Sequence, residues 1–272
     1  MKRPEVRRIS VWSGPRNVST ALMYSFAQRA DTRVVDEPLY GHYLKRTGGA
    51  HPGAEEVMAG MDCQGRRVVR EVLLGPTPKP IIFFKNMAHH LVGLERGFLT
   101  RLTNALLIRS PREMLPSLAK NLPRPTLSDT GYVGQIEILQ LLLQAGRHPP
   151  VLDSRQLLLD PEGVLSQFCQ ALEIPMDSAM LSWPAGPKPY DGVWARYWYD
   201  SVHRSNRFQP YRPKSGPFPD TLRPLLQESQ PLYERLYEHA IKAPTPDFSH
   251  SVVAKSRKRS ADKALRPRPP KV

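Results

Sequence analysis

Cysteine is nearly absent. Cys63 and Cys169 are the only two in 272 residues. Two thiols without metal-ligand spacing exclude a disulfide-stapled miniprotein and leave free thiols in a reducing compartment. Long apolar runs are absent too: segments such as 81–84 and 105–108 fall far short of the ~20 apolar residues that cross a bilayer. The N-terminus is basic at Lys2, Arg3, Arg7 and Arg8, but no apolar stretch of signal-peptide length follows. The sequence therefore reads as a soluble, cytoplasmic protein with no membrane partner. Acidic residues are scarce, with 25 Asp and Glu against 39 Lys and Arg, a formal net charge of +14. Half of that excess lies in residues 255–271, where eight basic residues meet only Asp262. Pro267, Pro269 and Pro270 sit there among few apolar residues, so 249–272 is expected to be a disordered tail behind a domain spanning 1–248. Such a tail solubilises, or touches polyanions without specific recognition of a nucleic acid. The rest of the chain is still basic, which suits an anionic substrate or cofactor. At 40% hydrophobic content it can build one sizeable core.

What is present alternates between strand and helix. Residues 8–12 form a β-branched and aromatic run, 13–18 a loop with Gly14 and Pro15, and 19–30 a helix with Leu22, Met23 and Phe26 on one face. Further strands are expected at 32–36, 81–85, 105–109 and 150–153. Segment 81–85 is an unbroken run of the kind a sheet buried on both faces requires. Ser110 and Pro111 read as the cap and first residue of another helix. Helices follow over 134–145, from 160 to about 172, and in the segments 194–202 and 220–243. The expected fold class is α/β: a single domain with a mainly parallel sheet flanked by helices.

The loop after the first strand carries the first chemistry. A chain leaving a parallel strand for a helix presents backbone N–H groups at a positive helix end, an anion cradle. Arg16 adds a bidentate donor, and Ser19 and Thr20 add hydroxyls. An ordinary connection with Ser19 as helix cap has the same outline. The G-x-x-x-x-G-K-[ST] pattern is not met, because Ser19 and Thr20 occupy the Gly-Lys slots counted from Gly14. Residues 15–22, Pro-Arg-Asn-Val-Ser-Thr-Ala-Leu, resemble the 5′-phosphosulfate-binding loop of the sulfotransferases. Asn17 and Val18 stand where that family usually has Ser and Gly. Residues 107–112 with Ser117 resemble its 3′-phosphate element, an Arg at a strand end (Arg109), a Pro soon after and a Ser in the next helix. Residues 153–175 resemble its late strand-to-helix segment. Segments 36–40, 85–89, 186–188, 191–194 and 198–203 look like one subgroup, the bacterial sulfotransferase-like domain that is also fused to plant branched-chain aminotransferase-like proteins.

The resemblance implies a P-loop-like nucleotide fold and a co-substrate, 3′-phosphoadenosine 5′-phosphosulfate. Its sulfuryl group would pass to a small hydroxyl- or amine-bearing acceptor with no metal. Residues 16–20 (Arg16, Asn17, Val18, Ser19, Thr20), Arg109 and Ser117 would bind the nucleotide. Arg16 and Lys85 would stabilise charge on the moving group, and Ala substitution of either is expected to reduce transfer with the fold intact. The base is open between Glu37, at the end of the second strand, and His89, because Met87 fills the slot where cytosolic relatives carry His. Asp36 reads as a strand-end cap. Trp183, Trp194, Tyr197, Trp198 and Tyr199 read as packing residues. A basic loop at Arg212, Lys214, Ser215 and Gly216 could close over the nucleotide. The alternatives are a P-loop-type kinase or nucleotide hydrolase, or a non-catalytic nucleotide-binding protein on the same fold.

Overall fold

Side chains alternate across a strand, so apolar runs buried on both faces demand helices above and below them. In the computed structural model, which describes residues 6–49 and 51–244, that demand is met. The strands are β1 (Arg7–Ser13), β2 (Thr32–Asp36), β3 (Ile81–Met87), β4 (Thr103–Ile108), β5 (Val151–Asp153) and β6 (Ala240–Ile241). They form one sheet in the order β2-β3-β1-β4-β5-β6, and every neighbouring pair is parallel. α1 (Ser19–Ala27) follows β1, and α2 (Tyr40–Thr47), α3 (Ala54–Gly60) and α4 (Gly65–Val68) lie between β2 and β3. α5 (Pro111–Leu118), α6 (Leu127–Thr130) and α7 (Tyr132–Gln144) link β4 to β5. α8 (Ser154–Leu159), α9 (Pro161–Ala171), α10 (Ala195–Trp198), α11 (Asp200–His203) and α12 (Arg223–Tyr237) precede β6.

One face of the sheet places Ile9, Val11, Phe83 and Leu107 against Leu22, Met23 and Phe26 of α1 and Phe168 of α9. The other places Trp12, Phe84, Leu106 and Ile108 against Met114 and Leu115 of α5, Ile136 and Leu139 of α7, and Leu236 of α12. Phe83 and Phe84 are both fully buried, on opposite faces. Each such ring contributes about 1.5–3 kcal/mol through burial. The helix after β1 therefore covers one face and the helix after β4 the other. Between the carboxyl ends of these adjacent strands a crevice opens, the place where open parallel sheets hold ligands.

Several boundaries differ from the sequence expectation. The helix expected over 220–243 ends at Tyr237, and Ala240–Ile241 then pairs with β5 as a sixth strand. Two residues are too few to show a strand period. Segment 194–202 splits into two single turns at Tyr199. Pro111 is the first residue of α5 and Ser110 its cap by position, although the Ser110 side chain makes no cap bond. The basic segment expected to form a tail lies outside the described residues.

Candidate active site

Gly14 lets the loop after β1 pass against the turn before α7. A Cβ there would sit 2.3 Å from the Thr130 carbonyl oxygen. The loop is then tied down from below. The Asn17 side-chain amide donates to the Leu107 carbonyl at 3.0 Å. The Ser154 hydroxyl donates to the carbonyls of Asn17 and Ile108 at 3.0 and 2.8 Å. α1 starts from Val18 with no side chain capping its free N–H groups, which leaves them for an outside acceptor. The φ angles of Arg16 and Val18 are 60° and 56°, a region that disfavours L-residues, most of all β-branched ones. Val18 occupies the slot where the resemblance expects glycine. Val18→Gly should therefore relieve about 1–2 kcal/mol of strain against about 0.5–1 kcal/mol of glycine entropy. A small gain in urea midpoint is expected, and a loss above about 1 kcal/mol would mean that Val18's packing outweighs its strain.

Arg16 and the β4 end meet across the crevice. Arg16 Nε donates to Ser117 Oγ at 3.1 Å, and its other arm donates to the Trp198 carbonyl at 3.0 Å. Arg109 donates to the Arg16 carbonyl at 3.0 Å and pairs with Glu113 at 3.2 Å. Burial, and then the nearby positive charge of Arg109, lower the Arg16 pKa. An anion entering here meets two partly desolvated guanidinium groups.

Lys85 lies deeper, 1% exposed. Register explains its partners: Lys85 on β3 stands opposite Asp36 on β2. At Glu37 the chain turns with φ 41°, so its carboxylate comes round beside that of Asp36 instead of pointing to the opposite face. Lys85 Nζ donates to Asp36 at 2.9 Å, to Glu37, and to the Tyr199 hydroxyl at 2.6 Å. Tyr199 in turn donates to Asp36 at 2.7 Å. Burial alone would lower the Lys85 pKa, but the Asp36 and Glu37 charges outweigh it and hold the amine charged. Glu37 is pushed up, by burial first and by the Asp36 charge, with Lys85 opposing. One lysine between two carboxylates neutralises only one of them, which leaves Glu37 ready to exchange a proton.

His89, the other candidate base, is surrounded by rings. It lies edge-on to Tyr43 at 5.0 Å and to His90 at 4.7 Å between centroids. Burial lowers its pKa to about 4, and His51 adds to the effect. It is therefore neutral across the range where an ordinary histidine titrates. Burial likewise holds His90 well below the usual histidine range. An unfolded chain takes up these protons first as pH falls. Stability should thus drop between the ordinary histidine value near 6.5 and about 4. Urea midpoints measured across that window should fall with pH, and the slope should flatten in His89→Asn. An unchanged slope would mean that His89 is solvated.

One cleft of about 370 Å³ gathers Arg16, Asn17, Val18, Ser19, Thr20, Glu37, Lys85, His89, Arg109 and Ser117 in its lining. Lys214 of the late basic loop reaches it as well, while Arg212 does not. The roles of six residues were not read from the sequence. Asp36 is an ion-pair partner of Lys85, not a simple strand cap. The Tyr199 hydroxyl joins that pair, and Tyr40 and His51 face the cleft. Trp194 and Trp198 also line it, beyond the packing role expected of them. The signal available was the Asp-Glu pair at a strand end opposite a lysine. Trp183 packs in the core against Tyr24 and Phe208, as expected. Among the described residues no group of three His, Cys, Asp or Glu side chains is placed to hold a metal ion, and no helix is long and apolar enough to cross a membrane.

A parallel sheet whose first strand runs through a loop into an uncapped helix defines a class, the open α/β folds that hold ligands at the carboxyl ends of their strands. The chain belongs to the sulfotransferase domain family, whose model matches residues 7–240. The branched-chain-amino-acid aminotransferase-like protein 1 of Arabidopsis thaliana is 44% identical over 240 residues, 88% of this chain and 43% of that relative. The Arabidopsis protein 2 of the same name is 40% identical over 232 residues, covering 85% of this chain and 41% of the relative. The chain thus spans less than half the length of these curated relatives. Two solved structures are similar at 16% identity. The sulfotransferase domain of the Synechococcus PCC 7002 olefin synthase has a TM-score of 0.48, covering 84% of this chain and 96% of that domain. The sulfotransferase domain of the curacin biosynthetic pathway has a TM-score of 0.46, covering 94% and 99%.

Proposed function

We propose that the chain transfers the sulfuryl group of 3′-phosphoadenosine 5′-phosphosulfate to a small hydroxyl- or amine-bearing acceptor, in the cytoplasm and without a metal. One observation carries the reading. The loop that resembles a 5′-phosphosulfate cradle and the element that resembles a 3′-phosphate site face each other across a single cleft, joined by the Arg16–Ser117 hydrogen bond of 3.1 Å. Uncapped N–H groups of α1, with Ser19, Thr20 and Arg16, suit the 5′ end of the donor. Arg109 and Ser117 suit its 3′-phosphate, and Asn17 and Val18 shape the loop. The donor supplies the activated sulfuryl group. Arg16 supplies the guanidinium for its developing charge, whereas Lys85, expected from sequence to do the same, is held by Asp36, Glu37 and Tyr199 and instead fixes Glu37. Glu37 takes the acceptor proton. A second reading, nucleotide binding without transfer, is favoured by the fact that Lys85 is already fully engaged with Asp36, Glu37 and Tyr199.

Calorimetry tests the donor site. Charge-assisted hydrogen bonds contribute roughly 1.5–3 kcal/mol each. Adenosine 3′,5′-bisphosphate should therefore bind at least about tenfold more tightly than adenosine 5′-monophosphate, with EDTA present. Arg109→Ala should remove the difference. Equal affinities in the unaltered chain would overturn the 3′-phosphate assignment. Tight binding without a sulfated product from any acceptor would favour the second reading.

A further inference from the structure

The two ends of the cleft differ in electrical character. Near Arg16 and Arg109 the lining includes a further cation, Lys214, and Arg207 also lines the cleft. The other end holds the ring cluster of Tyr40, His51, His89 and Trp194 with Asp129, and Trp198 joins the two ends, its ring beside His51 and its carbonyl accepting from Arg16 at 3.0 Å. The cation set deepest there, Lys85, is held by Asp36 and Glu37. Asp129 accepts from Thr126 at 2.7 Å and forms no ion pair among the described residues. Its charge reaches Tyr43, His51 and His89. Burial keeps His51 and His89 below the ordinary histidine value, so the imidazoles do not balance that carboxylate. The far end is therefore net negative.

Its walls are rings. Tyr40 stacks on His90 at 4.9 Å and 3°, and Trp194 meets Tyr40 edge-on at 5.2 Å. His51 lies 6.3 Å from Trp198. The Nδ1 atoms of His89 and His90 are buried with no hydrogen-bond partner among the described residues. These nitrogens are sealed behind the rings, so the wall that His89 and His90 present to the cleft is aromatic.

We infer that this end of the cleft takes a flat, ring-bearing hydroxyl compound of positive or zero charge, and rejects one that carries a carboxylate. The inference rests on the donor occupying the other end. A flat ring gains edge and face contacts with Tyr40, Trp194 and Trp198. An ammonium gains again, from the Asp129 carboxylate and from the indole and phenol faces. A carboxylate on the acceptor meets Asp129 and the Glu37–Asp36 pair, and among the described residues at that end Lys85 is already held by the pair.

Equilibrium binding of matched probes tests this, followed by NMR or by tryptophan fluorescence with adenosine 3′,5′-bisphosphate saturating. Tyramine and 4-hydroxyphenylacetate share a ring and differ in charge. 4-Methylphenol is the neutral member, and 6-aminohexanol is a ringless cation. Tyramine should bind at least about tenfold more tightly than 4-hydroxyphenylacetate, with 4-methylphenol between them and 6-aminohexanol weaker than tyramine. Asp129→Asn should shrink the charge discrimination several-fold. Unchanged affinity for adenosine 3′,5′-bisphosphate would show that this variant is folded. Equal or tighter binding of 4-hydroxyphenylacetate, equal binding of 6-aminohexanol, or no binding of any probe overturns the inference. Discrimination as expected but no sulfated product from the sulfated donor overturns the transfer reading alone. Transfer that prefers 4-hydroxyphenylacetate overturns this inference alone.

Discussion

Replacing Lys85 with methionine is expected to destabilise the protein by about 3–5 kcal/mol, because it strands two buried carboxylates. Lys85, Asp36 and Glu37 are 1%, 7% and 6% exposed, so water cannot take over the role of the ammonium. A domain is commonly stable by only about 5–15 kcal/mol, so the loss is a large share of the whole. The expectation from sequence, that losing this lysine leaves the fold intact, fails on that burial. The effect has a direction in pH. Without Lys85 nothing opposes the burial that pushes Glu37 up. The variant should therefore be least impaired at low pH and lose stability as pH rises through the raised Glu37 value. Urea unfolding at pH 5 and pH 8 reads this directly. Asp36→Asn added to Lys85→Met should restore part of the stability. A single variant within about 1 kcal/mol of the parent at pH 8 would show that the carboxylates reach solvent.

Glu37→Gln is expected to lower transfer on the order of 10²–10⁴-fold while leaving donor binding intact, the range that a positioned general base contributes. Burial and the Asp36 charge push Glu37 up against the pull of Lys85. The base works deprotonated, so the rate should rise with pH through a limb above the ordinary glutamate value of about 4.3. That limb should vanish in Glu37→Gln. His89→Asn should be mild, since burial already holds His89 at about 4. An acid limb near 4 that survives Glu37→Gln and disappears in His89→Asn would return the role to His89.

Much of the fold was legible because it rests on local pattern. The run at 81–85 is apolar on both faces because both faces are covered. Pro111 announced α5, and Asp160 with Pro161 announced α9, where the Asp160 carboxylate accepts from the Gly163 N–H at 3.0 Å. The helices between β2 and β3 were not legible. α3 and α4 have only seven and four residues, too short for a period to show, and α4 passes into a single π-helical turn at Val69–Leu73. β6 escaped for the same reason. At the site, residues carried by a recognisable motif were found, however far apart, and residues outside any motif, such as Tyr40, His51 and Tyr199, were not. Tyr199 reaches Asp36 across 163 positions, and no local pattern encodes that. Val18 was seen to depart from the usual glycine, but its left-handed backbone belongs to the folded loop.

The segment 188–205 ties itself to both ends of the cleft. Asp191 accepts from the Tyr24 hydroxyl at 2.7 Å and the Trp198 carbonyl from Arg16 at 3.0 Å, and Tyr199 accepts from Lys85. Arg16 and Lys85 are thus already engaged by the chain itself. A lone phosphate or sulfate ion would have to break the Arg16 contact for a charge it can meet at one end only. A ligand that spans from Arg16 to Arg109 replaces that contact and adds others along its length. The internal bonding of the cleft therefore favours ligands long enough to reach from Arg16 to Arg109 over small anions.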